Sequence, residues 1–206
     1  MSLQDKINNA IAYQNSGRLQ DAEKLYREVL AVDPHQATAL HLLGVLAHQT
    51  GNPDAAEALI TKSLKLRDND PTAYSNLGCI YKDQDRLGDA ISCFQKAIAL
   101  RARFVDAYNN LGILQNQLGE FEKAKSCYEK VIQIQPNNAT AYNNLGYTLK
   151  ELGENQKAIN CYEKAIKIQP NNVDALNNLG IILNKLQEYQ KAIDCYEKAI
   201  KIQPNY

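Results

Sequence analysis

No apolar run in the 206-residue sequence approaches the ~20 residues that span a bilayer, so no membrane association is expected. The opening stretch, MSLQDKINNA, is polar and lacks the apolar centre of a secretory signal, which favours the cytoplasm. There is no excess of charge of either sign: Lys and Arg total 23, and so do Asp and Glu. Without a basic field, non-specific nucleic-acid binding has no electrostatic support. Tryptophan is absent and histidine occurs three times. His41 and His48 would lie two helical turns apart, ~10 Å along the axis, too far to chelate one metal by themselves. No zinc spacing, phosphate-binding glycine loop or nucleophile motif occurs. The chain therefore reads as no enzyme, with no cofactor, no metal and no catalytic residues.

Five cysteines are present, and the positions of four of them are informative. Cys93, Cys127, Cys161 and Cys195 recur every 34 residues. On that period the chain divides into six units without insertion or deletion: 3–36, 37–70, 71–104, 105–138, 139–172 and 173–206. The segment CYEKAIKIQPN is repeated verbatim at 161–171 and 195–205. Self-similarity at a fixed period of this length predicts a stacked helical solenoid. Equivalent positions in stacked helices are ~8–10 Å apart or more, whereas a disulfide needs Cα atoms within ~7 Å. Free, packed thiols are expected, with Cys79 placed differently, on a groove face.

Each unit shows two amphipathic segments. In the fourth, Tyr108, Leu111, Gly112 and Gln115 share one helical face. Gly119 is suited to end that helix. Ala124, Tyr128 and Val131 then mark a second helix, which QPNN terminates through Pro136 and the turn preference of asparagine. Gly112 and Ala124 lack bulk where two backbones should approach, and Tyr128 fills the gap beside them. One such pair cannot bury both faces, so neighbouring units must stack.

This pattern resembles the tetratricopeptide repeat. The Leu-Gly pair stands at 43–44, 77–78, 111–112, 145–146 and 179–180. The second-helix alanine is Ala22, Ala56, Ala90, Ala124, Ala158 and Ala192. The aromatic four residues later is Tyr26, Phe94, Tyr128, Tyr162 and Tyr196, with Ile60 as the exception. A terminal proline stands at Pro34, Pro136, Pro170 and Pro204. Tyr74, Tyr108 and Tyr142 occupy the place of the signature tryptophan, and the first unit has Asn9-Ala10 for Leu-Gly, as an exposed edge repeat can tolerate. The resemblance covers 3–206 and implies an all-α fold: one domain of six helix-turn-helix units forming a right-handed superhelical α-solenoid.

In such stacks the first helices resemble the lining of a concave groove. Opposite the buried stripe, unit position 6 reads Asn8, Leu42, Asn76, Asn110, Asn144 and Asn178. Position 9 beside it is mostly apolar and includes Ile113, Tyr147 and Ile181. Position 2 supplies Asp106 and Asp174. An asparagine amide both donates and accepts, so it can pair with a peptide backbone without reading side chains. The ladder resembles the groove of the repeat arm of O-linked N-acetylglucosamine transferases, where such asparagines hold substrate polypeptide. Asn109, Asn143 and Asn177, on the flank, are expected to bond neighbouring helices instead. Inheritance of near-identical units by duplication explains the ladder without any ligand.

The expected function is a non-catalytic scaffold that binds extended polypeptide in its groove, with a protein or peptide as partner. Some members of the family hold acidic chaperone tails through a carboxylate clamp, which needs Lys or Arg at positions 2, 5 and 6. None stands there, so that mode is not expected. The sixth unit has no following helix to cover it, which suggests a fragment of a longer protein, such as the substrate-recognition arm of a glycosyltransferase. Alternatively, an uncapped Ala192–Tyr196–Ala199 face docks head-to-tail on another copy.

Overall fold

The computed structural model describes residues 1–204. Among them are twelve α-helices and no strand: α1 (Leu3–Asn15), α2 (Leu19–Val32), α3 (Ala37–Gln49), α4 (Pro53–Leu66), α5 (Pro71–Asp83) and α6 (Leu87–Leu100), then α7 (Val105–Gln117), α8 (Phe121–Ile134), α9 (Ala139–Glu151), α10 (Asn155–Ile168), α11 (Val173–Lys185) and α12 (Tyr189–Ile202). Every first helix has 13 residues and every second helix 14. The helices form two compact units, Met1–Phe104 with α1–α6 and a second from Val105 onward with α7–α12.

One turn geometry ends every first helix. The fifteenth residue of each repeat adopts positive φ: Gly17, Gly51, Gly119 and Gly153, but also Asp85 (59°) and Gln187 (64°). The next amide then reaches back to the carbonyl five residues earlier, as in Glu120 N to Gln115 O at 2.8 Å and Glu154 N to Leu149 O at 2.8 Å. This is the bond that satisfies orphan carbonyls at a helix C-terminus. The turn between units uses asparagine differently. In QPNN the second asparagine is the N-cap of the next helix: Asn138 accepts from Ala141 N at 2.9 Å and Asn172 from Ala175 N at 3.0 Å.

The Leu-Gly pair and the second-helix aromatic explain the close pairing. A Cβ on Gly112 would meet the Tyr128 ring at 2.8 Å, on Gly78 the Phe94 ring at 2.7 Å, and on Gly44 the Ile60 side chain at 2.6 Å. Ala56, Ala90, Ala124 and Ala158 are fully buried beside these glycines. In the second unit one continuous core runs through all three pairs, from Ala124 and Tyr128 through Leu145 and Tyr162 to Leu179 and Ala192. In the first repeat Ala10 takes the glycine position and is buried, while Asn9 is exposed where the other repeats bury leucine.

The expected outer face of α12 is corrected. Ala192 and Ala199 are each 2% exposed and belong to the core, because they face α11. The large apolar residues that α12 leaves exposed are Tyr189, Ile193, Ile200 and Ile202.

Candidate functional site

The second unit contains a hollow of about 570 Å³. Its walls come from the first helices of three consecutive repeats, because these lie side by side. Ile113, Asn116 and Gln117 of α7 form one wall. Asn143, Asn144 and Tyr147 of α9 form the middle. Asp174, Asn177, Asn178 and Ile181 of α11 form the other wall. Tyr128 and Tyr196, from the second helices, also line it.

Six of the sequence-predicted site residues thus meet in one place: Asn144, Asn178, Ile113, Tyr147, Ile181 and Asp174. Ile113, Tyr147 and Ile181 keep 38–49% of their surface exposed despite being large and apolar. Asn110 is half-buried on α7, and Asp106 is exposed in the first turn of that helix; neither lines this hollow. Asn76 belongs to the first unit, where its Nδ2 lies 2.8 Å from His41 Nε2.

The flanking asparagines are part of the same surface. Asn143 and Asn177 line the hollow beside Asn144 and Asn178. Asn143 also bonds a neighbouring helix, as its place on the flank implies: Asn178 Nδ2 donates to Asn143 Oδ1 at 3.2 Å. Asn143 Nδ2 in turn donates to Asn144 Oδ1 at 3.4 Å. A second polar chain runs deeper. Fully buried Thr148 has its Oγ1 2.8 Å from Asn144 O and 3.1 Å from Asn116 Oδ1. Asn116 Nδ2 donates to the Tyr128 hydroxyl at 3.4 Å.

Thr148–Asn116 spans 32 residues, but four other bonds between first helices share a spacing that the repeat period does not display. In these four, side chains of successive first helices bond at a separation of 35 residues, one more than the repeat. His41 meets Asn76, and Asn143 meets Asn178. Two turns further along, Gln14 Nε2 donates to Gln49 Oε1 at 2.8 Å, and His48 Nε2 lies 2.9 Å from Asp83 Oδ2. Position 5 of one repeat therefore meets position 6 of the next, and position 12 meets position 13. The sequence signal was present as two adjacent polar columns, but their diagonal pairing depends on how the helices lie against one another.

The His41–Asn76 pair has its own electrostatics. An amide Nδ2 can only donate, so His41 Nε2 accepts and the ring is neutral. His41 is 6% exposed, and burial lowers its pKa, while Asp70 opposes that shift. Burial pushes the Asp70 carboxyl up, but the Ala73 amide, His41 and Arg67 together hold it below the usual value.

None of the five cysteines is joined in a disulfide among the described residues. Burial pushes Cys93, Cys127 and Cys161 each up to about 11, so they stay protonated and unreactive at neutral pH. Among the described residues no group of His, Cys, Asp and Glu is placed to hold a metal ion. No helix among them is long and apolar enough to cross a membrane.

Models of the tetratricopeptide repeat family match residues 7–73, 104–171 and 173–206, and a further TPR model matches 78–119. The chain belongs to the tetratricopeptide repeat family. Among solved structures, this tetratricopeptide repeat chain is similar to the crystal structure of MamA at 30% identity, with 78% of this chain and 94% of that one covered and a TM-score of 0.72. It resembles PilF of Pseudomonas aeruginosa at 19% identity, over 99% of this chain and 93% of that one, with a TM-score of 0.87. It also resembles YrrB, described as a TPR protein with an unusual peptide-binding site, at 22% identity, 88% and 93% coverage and a TM-score of 0.73. The last two likenesses bear on fold alone. No curated protein matches the sequence. Membership of this family supports, in general terms, a protein-interaction scaffold.

Proposed function

We propose that the chain is a non-catalytic scaffold that holds an extended polypeptide in the hollow of its second unit. One observation carries this reading: four asparagine amides, from Asn143, Asn144, Asn177 and Asn178, line one hollow together with Ile113, Tyr147 and Ile181. Amides suit the backbone of an extended chain, and exposed apolar side chains suit whatever residues that chain presents. The hollow is built on packed helices, so little receptor entropy is lost on binding. Among the residues that line it, Asp174 is the one acid or base besides the tyrosines, which disfavours the acidic tails that a carboxylate clamp would hold. Asn110 is a further candidate contact on α7 of the same unit, and Asn76 is a separate candidate in the first unit. In this reading a glycosyltransferase arm and a free-standing scaffold share the same groove chemistry.

The test is a display selection with unstructured peptides, followed by titration of the winners against a chain carrying both Asn144→Ala and Asn178→Ala. Loss of about tenfold or more in affinity, with an unchanged melting temperature, supports the reading. Unchanged affinity for every selected peptide removes it.

End-to-end self-association is a second reading, favoured by the face of α12. Ile193 and Ile200 are 46% and 57% exposed, whereas the equivalent Ile159 of α10 is 7% exposed. Against it, α1 carries Lys6 and Asn9 where α11 buries Leu176 and Leu179, so docking there would dehydrate the Lys6–Glu28 pair. Light scattering across concentration decides it, and a strict monomer excludes it.

A further inference from the structure

Tyr147 and Glu151 stand one turn apart on α9 and hold a single cation between them. The Lys150 ammonium lies 4.8 Å from the centre of the Tyr147 ring and 2.9 Å from Glu151 Oε1. Residues four apart are neighbours on a helix surface, which is why one ring and one carboxylate can share a charge here. Tyr147 lines the hollow, and so does Gln117, which stands in α7 where Glu151 stands in α9. The pair is therefore at the edge of the hollow.

Lys150 takes this place in preference to another. In two other repeats the side chain at its position bonds the tyrosine of the second helix. Tyr26 OH donates to Gln14 Oε1 at 3.1 Å, and Asn116 Nδ2 donates to Tyr128 OH at 3.4 Å. Lys150 forgoes that bond for the ring and the carboxylate, and the corresponding Tyr162 hydroxyl is buried without a hydrogen-bond partner among the described residues.

We infer that Tyr147 and Glu151 form a cation subsite, filled by Lys150 in the free chain, to which a bound polypeptide presents an arginine. This rests on the polypeptide-binding reading above and adds a side-chain preference to it. Lys150 is a tethered competitor that the incoming cation displaces. A guanidinium suits the exchange: it stacks flat on an aromatic ring, is less strongly hydrated than an ammonium and reaches a carboxylate with two parallel N–H donors. A neutral side chain leaves Lys150 in place. An acidic one meets Glu151, with Asp174 in the same hollow. The Lys150 side chain is already 26% exposed, so its ammonium swings into water when displaced.

The probes are Nα-acetylarginine N-methylamide and its citrulline counterpart, which is neutral and of nearly the same shape. Each is titrated into the full chain while the Tyr147 ring and Lys150 side-chain resonances are followed by NMR. Saturable shifts of both residues are expected with the arginine probe, and none with citrulline at the same concentrations. Lys150→Met keeps the apolar stem and removes the competitor. It is expected to tighten arginine binding about fivefold, the size of one exposed cation–π contact. Lys185→Met makes the same change of charge one repeat further on and is expected to alter affinity by less than about twofold, because salt screens separated surface charges. Tyr147→Leu and Glu151→Gln are each expected to weaken binding about fivefold with an unchanged melting temperature.

No Tyr147 shift with the arginine probe, or an equal response to citrulline, overturns the cation subsite. Unchanged affinity in Lys150→Met, or equal tightening in Lys185→Met, overturns the competition. Either result leaves polypeptide binding standing if the display selection yields peptides. Failure of that selection removes the polypeptide-binding reading, and this inference with it.

Discussion

Gly146 and Tyr162 are packed so closely that a Cβ on the glycine would stand 2.6 Å from the tyrosine ring. Tyr162 is fully buried, so its ring has no room to withdraw. Gly146→Ala is therefore expected to destabilise the chain, by about 1–2 kcal/mol after the gain in helix propensity offsets part of the overpacking. Gly88 is the contrasting case: it lies near the start of α6 with nothing within 4 Å of its would-be Cβ. Gly88→Ala should stabilise by up to about 1 kcal/mol. Urea denaturation of both variants checks the opposite signs.

The fifteenth residue of each repeat needs positive φ, and Asp85 and Gln187 adopt it without being glycine. A left-handed conformation costs a residue with a Cβ roughly 1–2 kcal/mol. Gln187→Gly is expected to raise stability by about 1 kcal/mol. Asp85→Gly should gain less, because aspartate tolerates this region better than glutamine. The reverse change, Gly119→Gln, should destabilise by a similar amount in a thermal melt.

The repeated tyrosine hydroxyls are not equivalent. Tyr26 OH donates to Gln14 Oε1 at 3.1 Å, whereas the buried Tyr162 hydroxyl has no hydrogen-bond partner among the described residues. Lys150 holds the place in its repeat that Gln14 holds in the first, and its Nζ lies instead over the Tyr147 ring and beside Glu151. Tyr26→Phe should cost about 1 kcal/mol, and Tyr162→Phe should be neutral or stabilising. Equilibrium unfolding of the two variants side by side tests the difference.

His41 should make stability pH-dependent. Burial lowers its folded pKa below 6.5, so the unfolded chain takes up a proton first as the pH falls. The neutral His41 contribution is fully present above about 6.5 and is lost as pH drops from there through the lower folded value. The groups facing it are Asn76, Asp70 and Arg67. His41→Gln should flatten the fall in denaturation midpoint over that window. An unchanged pH profile would show that the protonated ring is accommodated.

Three of the five thiols, those of Cys93, Cys127 and Cys195, are buried. With an aromatic disulfide reagent near pH 8, the native chain is expected to expose no more than two rapidly reacting thiols, and all five in denaturant. Above pH 9, ionisation of the unfolded thiols draws stability away from the folded state, because the buried ones stay protonated to about 11. The corresponding midpoint should fall as the pH rises through that interval.

The 34-residue period determined much of this molecule by itself. It placed the helix pairs in register, because Leu-Gly, alanine and aromatic recur where the backbones must approach. It also located Gly119 and its equivalents at the turn, since only that backbone conformation lets the chain reverse so tightly. Two features were less legible. Asp85 and Gln187 adopt the glycine conformation against their own preference because the paired helices on either side hold the turn. The asparagines were visible as columns, and position 6 was read as facing the groove and position 5 as bonding the stack. Tertiary structure joined the two. Neighbouring first helices lie offset by one residue from the repeat, so Asn143 meets Asn178 35 positions later. A hydrogen bond depends on ångström-scale placement of two groups from different repeats, and no periodicity within one chain specifies that offset.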